Sequence, residues 1–201
     1  MSAGKKGTAS ARIALVGGKN SGKSALFNAL TGLKAHVGNC PGVTTQIETG
    51  TLKPELARHA DDRELTIIDM PGLLSLNAYG PEEEEALESI ISGGVDLILN
   101  VVDVGNIEPG LYLSLQLLEL NTPMIIALNM MDELANSGTV IDAQALSDRL
   151  GVPVLPVSAT KEQGISELAK SICDLLASPQ QHRNYDFCSG GLHKADRKSV
   201  V

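Results

Sequence analysis

Gly17-Gly18-Lys19-Asn20-Ser21-Gly22-Lys23-Ser24 sets two glycines and a Lys-Ser pair at the spacing G-x-x-x-x-G-K-[ST]. That spacing suits polyphosphate chemistry. The glycines let the backbone curl so that several N–H groups point inward at an anion. Lys23 is placed to reach β- and γ-phosphates, and the Ser24 hydroxyl to bind Mg²⁺. The segment before the loop, Ala11-Arg12-Ile13-Ala14-Leu15-Val16, reads as a strand. The segment after it, from Ala25 to Leu30, reads as a helix whose positive N-terminal end faces the phosphates.

A second motif addresses the base. The apolar run from Pro123 to Leu128 ends in Asn129-Met130-Met131-Asp132. A carboxylate at Asp132 can accept from both N1–H and the exocyclic amine of guanine, a donor pair that adenine lacks. Leaving such a carboxylate unpaired costs about 1–3 kcal/mol or more, enough to discriminate. Asn129 can bond the base and brace the phosphate loop. Met130 stands where the common guanine motif has Lys, and its flexible thioether can pack as that aliphatic stem does.

Two more pieces follow the same rule of position. Leu65-Thr66-Ile67-Ile68 ends in Asp69-Met70-Pro71-Gly72, where Asp69 would hold Mg²⁺ and the Gly72 N–H would sense a γ-phosphate. A strand over residues 152–157 ends in Ser158-Ala159-Thr160, with the Ala159 N–H directed at guanine O6. Four motifs, each at the carboxyl end of a strand, match the edge where open α/β sheets bind ligands.

The elements that must position these motifs alternate. Strands are expected over 46–53, 64–68 and 97–102, with a turn at 58–62. Helices are expected at the Glu82-Glu83-Glu84-Glu85 run and near 111–120, 142–150 and 165–176. Residues 33–45 read as a loop and first switch, and 71–80 as a second switch. Residues 1–10 read as a disordered leader, 11–178 as the nucleotide domain, and 179–201 as a tail that could begin a helical regulatory domain.

Composition narrows the class. The chain has 201 residues, 43% apolar, with a net charge of −8. An acidic balance argues against a nucleic-acid partner, which usually needs a basic face. Cys40, Cys173 and Cys188 are odd in number and scattered, as in a reducing compartment. No stretch supplies the roughly 18 apolar residues of a membrane helix, and no signal-type apolar core opens the chain. His36 and Cys40 lie four apart, but in an expected loop, where that spacing guarantees no shared face, and His59, His182 and His193 have no close metal partner in sequence.

The sequence resembles the cytosolic G domain of FeoB, the bacterial ferrous iron transport protein B family. The resemblance is carried by Asn20–Gly32, Val37-Gly38-Asn39-Cys40-Pro41-Gly42-Val43-Thr44, Asp69–Gly72, Leu111–Glu119 and Leu128–Asp132. Lys19 and Cys40 depart from it, standing where Pro and an aromatic residue are common. The resemblance implies a Ras-like P-loop GTPase fold, a three-layer α/β sandwich on a mostly parallel six- or seven-stranded sheet. It implies GTP and GDP as ligands, with Mg²⁺ on Ser24, Asp69 and Thr44 (Thr45 being the alternative). It also implies K⁺ at Asn20, offsetting charge that builds on the β–γ oxygens. Catalytic roles fall to Lys23, Asn20, Thr44 and Gly72. Leu73 stands where many GTPases place the Gln that orients water, so hydrolysis is expected to be slow or K⁺-stimulated.

The implied partners are a membrane permease portion of the same protein and small cytosolic Feo accessory proteins. The implied place is the cytoplasmic face of the membrane. Two other classes share these motifs: soluble ribosome- or tRNA-maturation GTPases, and nucleotide sensors that do not hydrolyse.

Overall fold

The structure is a computed structural model that describes residues 10–32, 36–38, 47–60, 63–72, 94–137 and 140–177. Seven strands form one sheet in the order β2-β3-β4-β1-β5-β6-β7. They are β1 (Ser10–Gly17), β2 (His36–Gly38), β3 (Ile47–Thr51), β4 (Glu64–Asp69), β5 (Leu97–Asp103), β6 (Met124–Asn129) and β7 (Val154–Pro156). β4, β1, β5, β6 and β7 run parallel. β2 and β3 turn antiparallel at one edge. The expected mostly parallel sheet is therefore what forms.

The sequence explains why the central strands sit where they do. A parallel strand covered on both faces must be apolar at consecutive positions. β6, Met-Ile-Ile-Ala-Leu-Asn, is buried throughout, and β5 is buried from Leu97 to Val102. β1 divides its side chains by parity. Ile13 and Leu15 enter one apolar cluster, and Ala14 and Val16 enter the other.

Helices α1 (Lys23–Thr31) and α5 (Ile165–Ala177) cover the first face with Leu26, Phe27, Leu30, Leu168 and Ile172. Burying each such side chain contributes roughly 1.5–3 kcal/mol. Helices α2 (Ile107–Leu118), α3 (Met131–Ser137) and α4 (Ala143–Leu150) cover the other face, with Leu113, Leu117 and Leu134 as anchors. The result is a three-layer sandwich.

The structure corrects four local readings. Residues 36–38, expected in a loop, form the edge strand β2, paired by register to β3 from His36↔Thr49 to Gly38↔Ile47. α2 begins at Ile107 rather than near 111, because Pro109 sits in the first turn, where no intrahelical N–H bond is required. α3 follows Met130 directly, where only a strand end was expected. The Asp142 side chain accepts from Ala145 N at 2.9 Å and caps α4, which begins one residue later than expected. Thr44, Leu73, the Glu82–Glu85 run and the tail all lie outside the described residues.

Candidate functional site

The parallel register brings four strand ends to one edge. Leu15 pairs with Asp69, Gly17 with Val101, and Asp103 with Asn129. The loop after β1 can lie flat on this edge because Gly17 has no side chain. A Cβ there would fall 2.6 Å from the Val101 carbonyl oxygen. Two left-handed residues, Asn20 (φ 66) and Gly22 (φ 85), then curl the loop. Successive N–H groups in such geometry make an anion-binding concavity. Gly22 is also the N-cap of α1 and has no side-chain capping bond, so the first N–H groups of the helix are left for a ligand. Lys23 is half-buried, and Ser24 and Asn20 are exposed at the rim.

Asn129 ties three motifs together. It is 2% exposed, at the end of β6. Its Nδ2 donates to the Ser21 carbonyl at 3.0 Å. Its Oδ1 accepts from Ala159 N at 3.0 Å. The bracing role expected of Asn129 is thus visible. The Ala159 N–H, expected to face a guanine oxygen, is used here inside the chain. Met130 adopts φ 66, and its methyl group lies 3.5 Å from where a Cβ of Gly22 would be. The thioether therefore packs under the phosphate loop.

The carboxylate expected to read the base is held from two sides. Ser158 Oγ donates to Asp132 Oδ1 at 2.6 Å, and Lys161 Nζ lies 3.3 Å from Oδ2. The Ser158 hydroxyl is the main cause that holds the Asp132 carboxyl below its usual range, and Lys161 adds to it. Asp132 is therefore charged at any physiological pH. Thr160 lies exposed beside this pair. Lys161 went unremarked in the sequence, although it directly follows Ser158-Ala159-Thr160 on the same turn.

Asp69 ends β4 with Oδ1 buried and without a hydrogen-bond partner. Burial pushes its carboxyl up, the Lys23 charge opposes this, and Glu48 adds to the rise. Glu48 is its register partner across β3, a neighbour that only strand pairing could reveal. The raised value fixes a sign. The folded state holds a proton more tightly than the unfolded chain, so Asp69 makes the protein less stable as pH rises above the ordinary carboxylate range. Asp69→Asn is expected to melt a few degrees higher than the parent at pH 8 without nucleotide or metal. That gain should shrink toward pH 4. A lower melting temperature at pH 8 would contradict this account of the buried oxygen.

Gly72 lies against the loop, since a Cβ there would be 3.1 Å from Lys19 Cγ. A small cleft between the loop and the start of α2 is lined by Gly18, Lys19, Ser21, Asp103 and Asn106 among others. Ser21 Oγ is buried and unpartnered beside it. No helix among the described residues is long and apolar enough to cross a membrane.

Comparison with known proteins places this geometry. The sequence model of the family "Ferrous iron transport protein B" matches residues 11–172. The Fe(2+) transporter FeoB of Escherichia coli K12 is 43% identical over 193 residues, covering 94% of this chain and 24% of that protein. The chain therefore spans about a quarter of the length of this curated relative. Among solved structures, the cytosolic domain of the T. maritima FeoB iron transporter in a GDP form superposes with a TM-score of 0.79 at 34% identity. That match covers 87% of this chain and 66% of the other. The FeoB G-domain from Methanococcus jannaschii gives a TM-score of 0.72 at 37% identity, covering 85% of this chain and all of that one, 100%. With the family's sequence pattern running through all four motif loops and its G-domain structures superposing on the sheet that carries them, this chain belongs to the ferrous iron transport protein B (FeoB) family.

Proposed function

We propose that this chain is the GTP-binding and slowly GTP-hydrolysing switch domain of a prokaryotic ferrous iron transporter, stimulated by K⁺ and coupling nucleotide state to Fe(II) uptake. The observation that carries the reading is Asn129, whose two bonds join the phosphate loop to the base-side loop. A turn that bound nothing would gain little from such a buried tie. The GDP-bound state of the T. maritima relative supports a guanine nucleotide as the ligand.

The residues divide the work by position. Gly17, Gly18, Lys19, Asn20, Ser21, Gly22 and Ala25 wrap the phosphates with backbone N–H groups, and Lys23 neutralises the β- and γ-oxygens. Asp132 reads guanine, while Met130, Ser158, Ala159 and Thr160 shape its pocket. Mg²⁺ fits the donor set present: Asp69 Oδ1 is a buried acceptor without a partner, and Ser24 stands at the helix start beside Lys23. Bound there with Thr44, the ion would supply charge neutralisation of the phosphates. Asn20 would hold K⁺, and the Gly72 N–H would report the γ-phosphate. A permease portion and small Feo accessory proteins complete the assembly at the cytoplasmic membrane face.

The test is steady-state GTP hydrolysis in KCl and in NaCl at matched ionic strength, with Mg²⁺ present. Turnover several-fold faster in KCl is expected, and Asn20→Ala should remove the stimulation while sparing nucleotide affinity. Equal and very slow rates in both salts would replace the enzyme with a nucleotide sensor.

A further inference from the structure

The phosphate loop carries two lysines, and only the Lys23 side chain has been given a task. Lys19 is the exposed third residue of the loop, between Gly18 and the left-handed Asn20. A Cβ built on Gly72 would lie 3.1 Å from Lys19 Cγ, 3.4 Å from its N and 3.6 Å from its Cα. The backbone of Lys19 thus runs against the one residue whose N–H is assigned to the γ-phosphate. Its stem starts over that residue and ends in an ammonium on an exposed side chain. Among the described residues that ammonium forms no salt bridge, whereas Lys53 and Lys161 each form one. The second switch, for its part, has an apolar side chain directly after Gly72, at Leu73.

We propose that Lys19 is a catalytic residue: a cation built into the chain that contacts the γ-phosphate and stabilises charge as the β–γ bond breaks. The inference rests on the reading of this loop as a GTP site. In the step concerned, the oxygen of a water forms the new bond to the γ-phosphorus. The bond from that phosphorus to the β–γ bridging oxygen breaks, and its electron pair stays on GDP. One water proton passes to solvent, and phosphate leaves. Negative charge grows on the bridging oxygen and spreads over the γ-oxygens. A lysine ammonium on a four-carbon stem (a compact charge with three donors) can follow that growth. Charges aimed at such positions typically change rates by a hundredfold or more when rigid. A flexible, exposed lysine is worth less, about tenfold. The consequence is a site with its own monovalent positive charge, and hence a rate in NaCl above that of the same site without Lys19.

The experiment compares parent, Lys19→Met and Lys19→Arg in single-turnover GTP hydrolysis, in KCl and in NaCl. Affinity for a fluorescent GDP analogue and the thermal melt are followed in parallel. Met keeps the stem over Gly72 and removes only the charge. The expected result is a rate in NaCl about tenfold lower for Lys19→Met, with a larger ratio of KCl to NaCl rates. GDP affinity should stay within about threefold, and Lys19→Arg should retain most of the parent rate. Unchanged rates for Lys19→Met in both salts would overturn the proposal and leave the nucleotide site standing. So would a loss confined to GTP affinity, since that marks ground-state binding alone. A parent that binds no guanine nucleotide would overturn both readings.

Discussion

Asp132→Asn is expected to lower GDP and GTP affinity at least a hundredfold while leaving fold and melting temperature close to the parent. The carboxylate is already oriented, with Oδ1 accepting from Ser158 Oγ and Oδ2 beside Lys161 Nζ. Those contacts fix its plane, and an ionised carboxylate has about four acceptor sites in all. An amide in the same plane keeps one acceptor and turns the other end into a donor. That donor meets an N–H of guanine, so one hydrogen bond is lost and two donors oppose each other. A site built to pair a polar edge rejects the wrong partner by several kcal/mol, because its own groups are left unpaired. Xanthine carries a carbonyl where guanine has its exocyclic amine, so the same substitution should strengthen XDP binding. Titration of the variant with labelled GDP and XDP reads both effects. Parent-like GDP affinity would remove Asp132 from base recognition. Because the Asp132 carboxyl is held below its usual range, the parent should keep its GDP affinity as pH falls toward 5.

Much of this site could be read before any coordinates, because its parts are short and local. The phosphate loop is eight consecutive residues with a strand on one side and a helix on the other, and β6 announces Asn129 by an unbroken apolar run. What stayed hidden depends on pairing between distant segments. β2 is three residues containing Gly38, with nothing strand-like about it until β3 fixes its register. Helix α2 was expected only from about 111, after Pro109 and Gly110. In fact Pro109 sits in the first helical turn, and Gly110 lets α2 approach β5, since a Cβ there would fall 2.6 Å from Val102 Cγ1. Glu48 became a neighbour of Asp69 only through an antiparallel register. The partners of Asn129 lie 108 and 30 residues away. A motif names the residue but not the atoms that hold it, and here those atoms decide what a substitution does.

That dependence is sharpest at Gly22, where the smallest substitution should have the largest effect. Gly22→Ala is expected to abolish measurable nucleotide binding and to lower the melting temperature by about 10 °C. A Cβ on Gly22 would lie 2.1 Å from Asn129 Nδ2, an overlap that neither side can ignore. Asn129 is 2% exposed, and its side chain cannot turn away without breaking its two bonds. Its departure would leave the Ser21 carbonyl and the Ala159 N–H unpaired, at about 1–3 kcal/mol each. The left-handed φ of 85 at Gly22 costs alanine roughly 1–2 kcal/mol more. The sum, about 3–8 kcal/mol, is a large share of a domain's typical 5–15 kcal/mol. At roughly 2–4 °C per kcal/mol for a chain of this size, it sets the scale of the expected shift. Asn129→Ala alone should lose the tie but not the loop's curl, and should melt between parent and Gly22→Ala. The double variant separates clash from tie. With Asn129 already shortened, the Cβ of Ala at position 22 keeps only an ordinary contact with the Met130 methyl at 3.5 Å, so the two costs should fall short of additivity by at least 1 kcal/mol. Strict additivity in thermal or urea melts would show that Gly22 serves the curl of the loop alone, and that the contact with Asn129 carries none of the loss.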